Sequence, residues 1–151
     1  MKFYITGCSR GLGKHLYNEF SCIGFDRASG YDIEHDINNI VNKIEPGSVV
    51  ILNAHANGTQ LEYIKRLYNK SRIVVCGSIA ATHFDQQQLE YSEQKHNLEK
   101  EFTQLAMHSP LPMLYLKLTS SSYKDYELIS NTIRFWIDNP NFTFAGYNIN
   151  D

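Results

Sequence analysis

Short apolar runs alternate along the chain with segments of helical period. Phe3, Tyr4 and Ile5 read as a buried strand, and Leu12, Leu16 and Phe20 recur every four residues as one helical face. Cys22 to Phe25 predicts a second strand, closing at Asp26-Arg27 after a very short link. Ala28-Ser29-Gly30 predicts a turn and Tyr31 to Asp36 a vestigial strand. Ile37, Ile40, Val41 and Ile44 carry helical spacing, stopped by Pro46-Gly47. Val49 to Leu52 is a continuous run, the mark of a strand covered on both faces. Leu61 to Tyr68 predicts a short helix, Ile73 to Cys76 a strand, and Leu89 to Met107 a long helix. Met113 to Leu116 predicts the next strand. Leu128, Ile129, Ile133, Trp136 and Ile137 predict the buried face of a late helix, and Phe142 to Ala145 a last strand.

Strands alternating with helices predict an α/β fold: a doubly wound, mostly parallel Rossmann-like sheet with helices on both faces. Right-handed crossovers bring every strand's C-terminal end to one edge, where such sheets bind ligands. Four features follow strands directly and so converge there: the glycine turn after Ile5, Asp26, Asn53 and Ser78.

The glycine turn is the sharpest of them. Thr6-Gly7-Cys8-Ser9-Arg10-Gly11-Leu12-Gly13 joins the first strand to the first helix. Unpaired amides at a helix N-terminus carry partial positive charge and suit a pyrophosphate. Glycine serves where the chain bends sharply or a ligand must approach the main chain.

Composition narrows the rest. A chain of 151 residues with 42% hydrophobic and 20% charged residues is expected to form a single domain with a real core. A formal net charge of −2 with no basic excess argues against nucleic acid. The apolar runs are too short to span a membrane, and the first strand is not a signal peptide. Cys8, Cys22 and Cys76 are scattered, without metal-ligand spacing, and read as reduced thiols of a cytoplasmic protein.

Tyr91-Ser92-Glu93-Gln94-Lys95 is a Y-x-x-x-K. In a chain with ten tyrosines the pair alone carries no weight. Its placement adds some: continuing from Tyr91 and Lys95 along one helical face gives Leu98, Phe102 and Leu105. Ser78 lies thirteen residues before Tyr91. The order of T-G-x-x-x-G-x-G turn, Asn-Ala after a later strand, serine after the next, then Y-x-x-x-K, resembles the short-chain dehydrogenase/reductase family from Phe3 to about Leu118.

That resemblance implies an NAD(P)-dependent oxidoreductase acting on a small carbonyl or alcohol. Tyr91 would be the general acid/base. Lys95 would lower its pKa and hold the nicotinamide ribose, and Ser78 would orient the substrate oxygen. Gly7, Ser9, Arg10, Gly11, Leu12 and Gly13 would surround the phosphates, Asp36 would stand at the adenine, and Asn53-Ala54 would match the family's Asn-Ala-Gly segment. Asp26 suits the ribose diol of NAD, whereas Arg27 and Arg10 suit a 2′-phosphate. Two cations against one anion tilt the balance to NADP. A homo-oligomer, dimer or tetramer, is also implied.

The chain departs from the family in places. The helix after Asn53 is short and offers only Asn57 and Asn69 for the proton-relay asparagine. His55 replaces a glycine, Thr119 to Ser122 stand where Pro-Gly is usual, and the substrate lid is nearly absent. The pocket is therefore small, open, or completed by another subunit. A dinucleotide-binding module without catalysis is the alternative reading. A sugar-nucleotide epimerase or dehydratase would need a larger C-terminal region.

Overall fold

The computed structural model describes residues 1–54, 58–78, 89–118, 124–139 and 144–149, with backbone alone for 78, 89–92, 94–95 and 144–149. The described residues hold six strands: β1 (Phe3–Thr6), β2 (Ile23–Phe25), β3 (Val49–Leu52), β4 (Arg72–Ser78), β5 (Met113–Leu118) and β6 (Phe144–Ile149). Five α-helices accompany them: α1 (Gly11–Glu19), α2 (Ile37–Lys43), α3 (Thr59–Leu67), α4 (Leu89–His108) and α5 (Tyr126–Asp138). The strands form one sheet in the order β2-β1-β3-β4-β5-β6, and every neighbouring pair is parallel.

Side-chain alternation divides the core into two layers. Tyr4, Val50, Leu52, Ile73, Val75, Met113 and Tyr115 point to one face. There they meet Ile40 and Ile44 at α2, Ile64 and Leu67 from α3, and Leu98 and Phe102 from α4. Ile5, Val49, Ile51, Val74, Leu114 and Leu116 point to the other, under Leu12 and Leu16 of α1 and Ile129, Ile133 and Trp136 of α5. Period-two strands between period-3.6 helices leave the sheet covered on both faces.

Strand order reverses at β1: β2 lies on one side of it and β3 on the other. Parallel sheets bind ligands beyond the strand C-termini at such a reversal. Gly7 follows β1 there and Asn53 follows β3.

Three expectations are corrected. Residues 31–36 form no strand. Asp32 Oδ1 accepts hydrogen bonds from the Glu34 and His35 amides at 2.9 and 3.0 Å, and Asp36 Oδ2 accepts one from the Asp32 amide at 2.8 Å. Aspartate side chains that bond nearby amides offer the backbone an alternative to a sheet ladder, and here it wins. Leu128 is 44% exposed, because Ile129, Ile133 and Trp136 take the inward row and Leu128 stands about 100° away from it. Ser78 is the last residue of β4 rather than lying beyond it. Of the expected last strand, Phe142 and Thr143 lie outside the described residues, and the described strand runs over Phe144–Ile149.

Gly77, just before Ser78, shows how closely the rim is packed. A Cβ there would lie 2.4 Å from the Tyr115 ring, which crosses β4 and meets Phe102 of α4 edge-on at 5.2 Å. Gly77→Ala must push that ring into α4, and urea unfolding should show a loss of about 1–3 kcal/mol with an unchanged denaturant slope.

Candidate functional site

The first turn is built by close approach. Gly7 has φ +74° and Gly11 φ +58°, conformations glycine adopts without a Cβ clash. The Gly7 amide donates to the Phe25 carbonyl at 3.1 Å and ties the turn to the end of β2. From β3, Asn53 Nδ2 donates to the Gly7 carbonyl at 2.9 Å, and the Ala54 amide donates to Thr6 Oγ1 at 3.2 Å. A Cβ on Gly13 would fall 1.7 Å from the Gly7 carbonyl oxygen and 2.6 Å from Asn53 Nδ2. The first turn of α1 therefore rests directly on the turn that precedes it.

Arg10 stands at the N-cap of α1 and its side chain makes no capping bond. The Lys14 amide makes the first intrahelical bond, to the Arg10 carbonyl. The Gly11, Leu12 and Gly13 amides precede that bond, so a ligand can take them. Ser9, Arg10 and Gly11 are exposed around this end, whereas Leu12 and Gly13 are buried.

Asp26 closes β2 and is only 9% exposed. Its Oδ1 accepts from the Ser29 amide at 2.9 Å, and Ser29 Oγ accepts from the Asp26 amide at 2.9 Å, a capping box on the 3-10 turn Arg27–Ser29. Burial pushes the carboxyl's pKa up. The bond from the Ser29 amide, with the Ser9, Cys8 and Ser29 side chains around the carboxylate, outweighs burial and holds it below the ordinary value. In turn, burial and the Asp26 charge push the Cys8 thiol up to about 11. Cys8 is therefore a neutral thiol at neutral pH rather than a nucleophile.

A pocket of about 230 Å³ opens beside Asp26, lined by Gly7, Arg27, Tyr31, Asp32, Ile33, Glu34 and Ala54 as well. Asp32 is held down at about 2 by its bonds from His35 and Glu34 and stays charged at neutral pH. Tyr31, Asp32, Ile33 and Glu34 escaped the sequence reading. The signal was the spacing of Asp32, Glu34 and Asp36, which suits an aspartate-stitched turn better than a strand. Asp36 is not among the lining residues; its carboxylate serves the Asp32 amide. Arg27 reaches the pocket wall, and Arg10 does not line it.

At the other end of the rim, Ser78 ends β4 in register with Leu118 of β5. Positions 91 and 95 occupy the first two turns of α4, and the row continues through buried Leu98 and Phe102. The side chains of Ser78, Tyr91 and Lys95 lie outside the described residues, as do His55, Asn57 and the segment 119–123. Asn69 precedes the start of β4, at the edge opposite the strand C-termini, so it is no relay candidate. Farther along α4, Glu99 pairs with Lys117 of β5 at 2.5 Å and braces the helix against the sheet.

No protein-family model and no curated protein matches the chain. Solved structures do. A short-chain dehydrogenase/reductase from Vibrio parahaemolyticus superimposes with a TM-score of 0.69 at 16% identity, over 97% of this chain and 98% of that one. The two chains share a Rossmann-like α/β fold. A 3-alpha-hydroxysteroid dehydrogenase from a Pseudomonas species, complexed with NADH, gives a TM-score of 0.68 at 13% identity, over 98% and 95% of the two chains. A carbonyl reductase from Pseudomonas aeruginosa, in complex with NADP, gives 0.64 at 14%, over 99% and 97%. Among the described residues β2 stands at the sheet edge. Among the described residues no helix is long and apolar enough to cross a membrane, and no cluster of His, Cys, Asp or Glu could hold a metal.

The Asp26 carboxyl gives a pH test. Its pKa is near 3.8 when unfolded and lower when folded, so its stabilisation is complete above about 3.8 and disappears as pH falls through the folded value. Wild type should exceed Asp26→Asn in urea midpoint at about pH 6, and the gap should close toward about pH 2.5.

Proposed function

We propose that the chain binds NAD(H) across the sheet's carboxyl rim and is an oxidoreductase for a small carbonyl or alcohol. The observation that carries this reading is Gly13 lodged against the Gly7 carbonyl where strand order reverses, with no side chain capping the start of α1. A side chain at Gly13 could not fit there, and one at Gly7 would need a rarely adopted backbone and crowd Ala54 at 3.0 Å. The absence of both lets the turn lie flat beneath a pyrophosphate, so the residues present fit a dinucleotide.

The amides of Gly11, Leu12 and Gly13 would take the phosphate oxygens, with Ser9 and Arg10 beside them. The adenosine half would enter the pocket between Gly7 and Ile33, its ribose diol toward Asp26. When bound, the nicotinamide supplies or receives the hydride. Tyr91 would pass a proton to or from the substrate oxygen, Lys95 would favour its phenolate, and Ser78 would hold the oxygen in line. The brace of Glu99 and Lys117, with Phe102 on Tyr115, supports the helix that carries Tyr91.

The pocket lining supports a cofactor balance other than the one drawn from the arginines. Asp26, Asp32 and Glu34 face Arg27 alone, and Arg10 stands elsewhere. A 2′-phosphate among three carboxylates is repelled, whereas a free diol finds acceptors. Calorimetry should therefore show NADH binding at least about ten times more tightly than NADPH, a difference of about 1.4 kcal/mol. Equal affinities would remove the argument for NAD.

Tyr91→Phe should cut turnover at least about 100-fold and leave the NADH dissociation constant unchanged. Retained turnover would defeat the assignment of Tyr91. Tight NADH binding with no oxidation across a panel of carbonyl compounds would instead favour the non-catalytic module.

A further inference from the structure

A sheet ladder does not hold the pocket wall at 31–36, so something else must. Tyr63 of α3 reaches it from the core. Its ring is buried in the layer under α3 and α4, and its hydroxyl donates to the Ile33 carbonyl at 2.6 Å across thirty residues of sequence. Ile33 is itself a wall of the pocket. The neighbouring supports are also side chains. Asp36 holds the Asp32 amide, Tyr31 packs edge-on against Phe25 at 5.0 Å, and Lys43 lies over the Tyr31 ring at 4.8 Å and donates to its hydroxyl.

We infer that Tyr63 is a positioning residue for nucleotide binding: its phenol fixes the Ile33 carbonyl, and with it the wall against which the adenine base stacks. This rests on the cofactor reading above. A turn left to itself samples several backbone states, and each must be given up when a ligand docks. A buried phenol bonded to one carbonyl selects the docking state in advance. Burial, then the charges of Asp36 and Asp32, push that phenol up to about 12, so it remains a donor at every physiological pH. No contact between Tyr63 and the ligand is required.

The test separates the two halves of the cofactor. Wild type and Tyr63→Phe are titrated with AMP and with nicotinamide mononucleotide by calorimetry, with helix content checked by circular dichroism. AMP should bind about 5- to 10-fold more weakly to the variant, as expected for a lost buried hydrogen bond, and nicotinamide mononucleotide equally well. Unchanged AMP affinity overturns the inference, and so does equal weakening of both ligands, which would report general damage. If Tyr63→Phe is insoluble, Asp36→Ala removes the second tether from the surface and carries the same two outcomes. Wild type that binds no NADH sinks the cofactor reading itself. Wild type that binds NADH, with AMP affinity indifferent to these changes, sinks the tether alone.

Discussion

The contact of Gly13 with the Gly7 carbonyl is the constraint from which the site follows. It sets how near α1 lies to the first turn, and therefore where the first amides of the helix stand. Asn53 bonds to that same carbonyl, and the Gly7 amide bonds to the end of β2. Three strands that are separate in sequence, β1, β2 and β3, are thus locked together at their C-terminal ends by one residue, Gly7. A side chain on Gly13 would disturb all three, because its Cβ would meet the shared oxygen before it met anything else.

This locking accounts for how much of the site was legible. Gly7, Gly11, Gly13, Asp26, Asn53 and Ala54 each sit directly after a strand or at a helix start, so topology alone brings them together. The apolar rows of α1, α3 and α4 were likewise readable, because each faces a sheet covered on both sides. Leu128 misled because it is apolar and next to a true core row; its exposure depends on a helix rotation that composition does not reveal.

The segment 31–36 misled for a different reason. Its apolar positions suggested a strand, and the competing signal lay in aspartates whose side chains can replace a sheet partner. A hydrophobic period reports what is buried and says nothing of which donors will satisfy the backbone. Tyr63 was hidden for the same reason. It reads as one more core aromatic on α3, and its hydroxyl matters only because a distant carbonyl ends up within 2.6 Å.

The two ends of the rim are therefore supported by different physics. At the α4 end, a twenty-residue helix lies on the sheet, held by buried apolar rows, an edge-on aromatic pair and the ion pair of Glu99 with Lys117. Such packing is collective, and no single bond defines it. At the β2 end, a short strand forms the sheet edge and the wall beyond it is stitched by individual hydrogen bonds that Asp26, Asp32 and Asp36 accept and Tyr63 donates. Each of those bonds is directional and replaceable one at a time. On that side single side chains do what a ladder does elsewhere, so under the proposed cofactor reading the fit of a nucleotide would rest on a few named groups, while the α4 end depends on the volume of a packed layer.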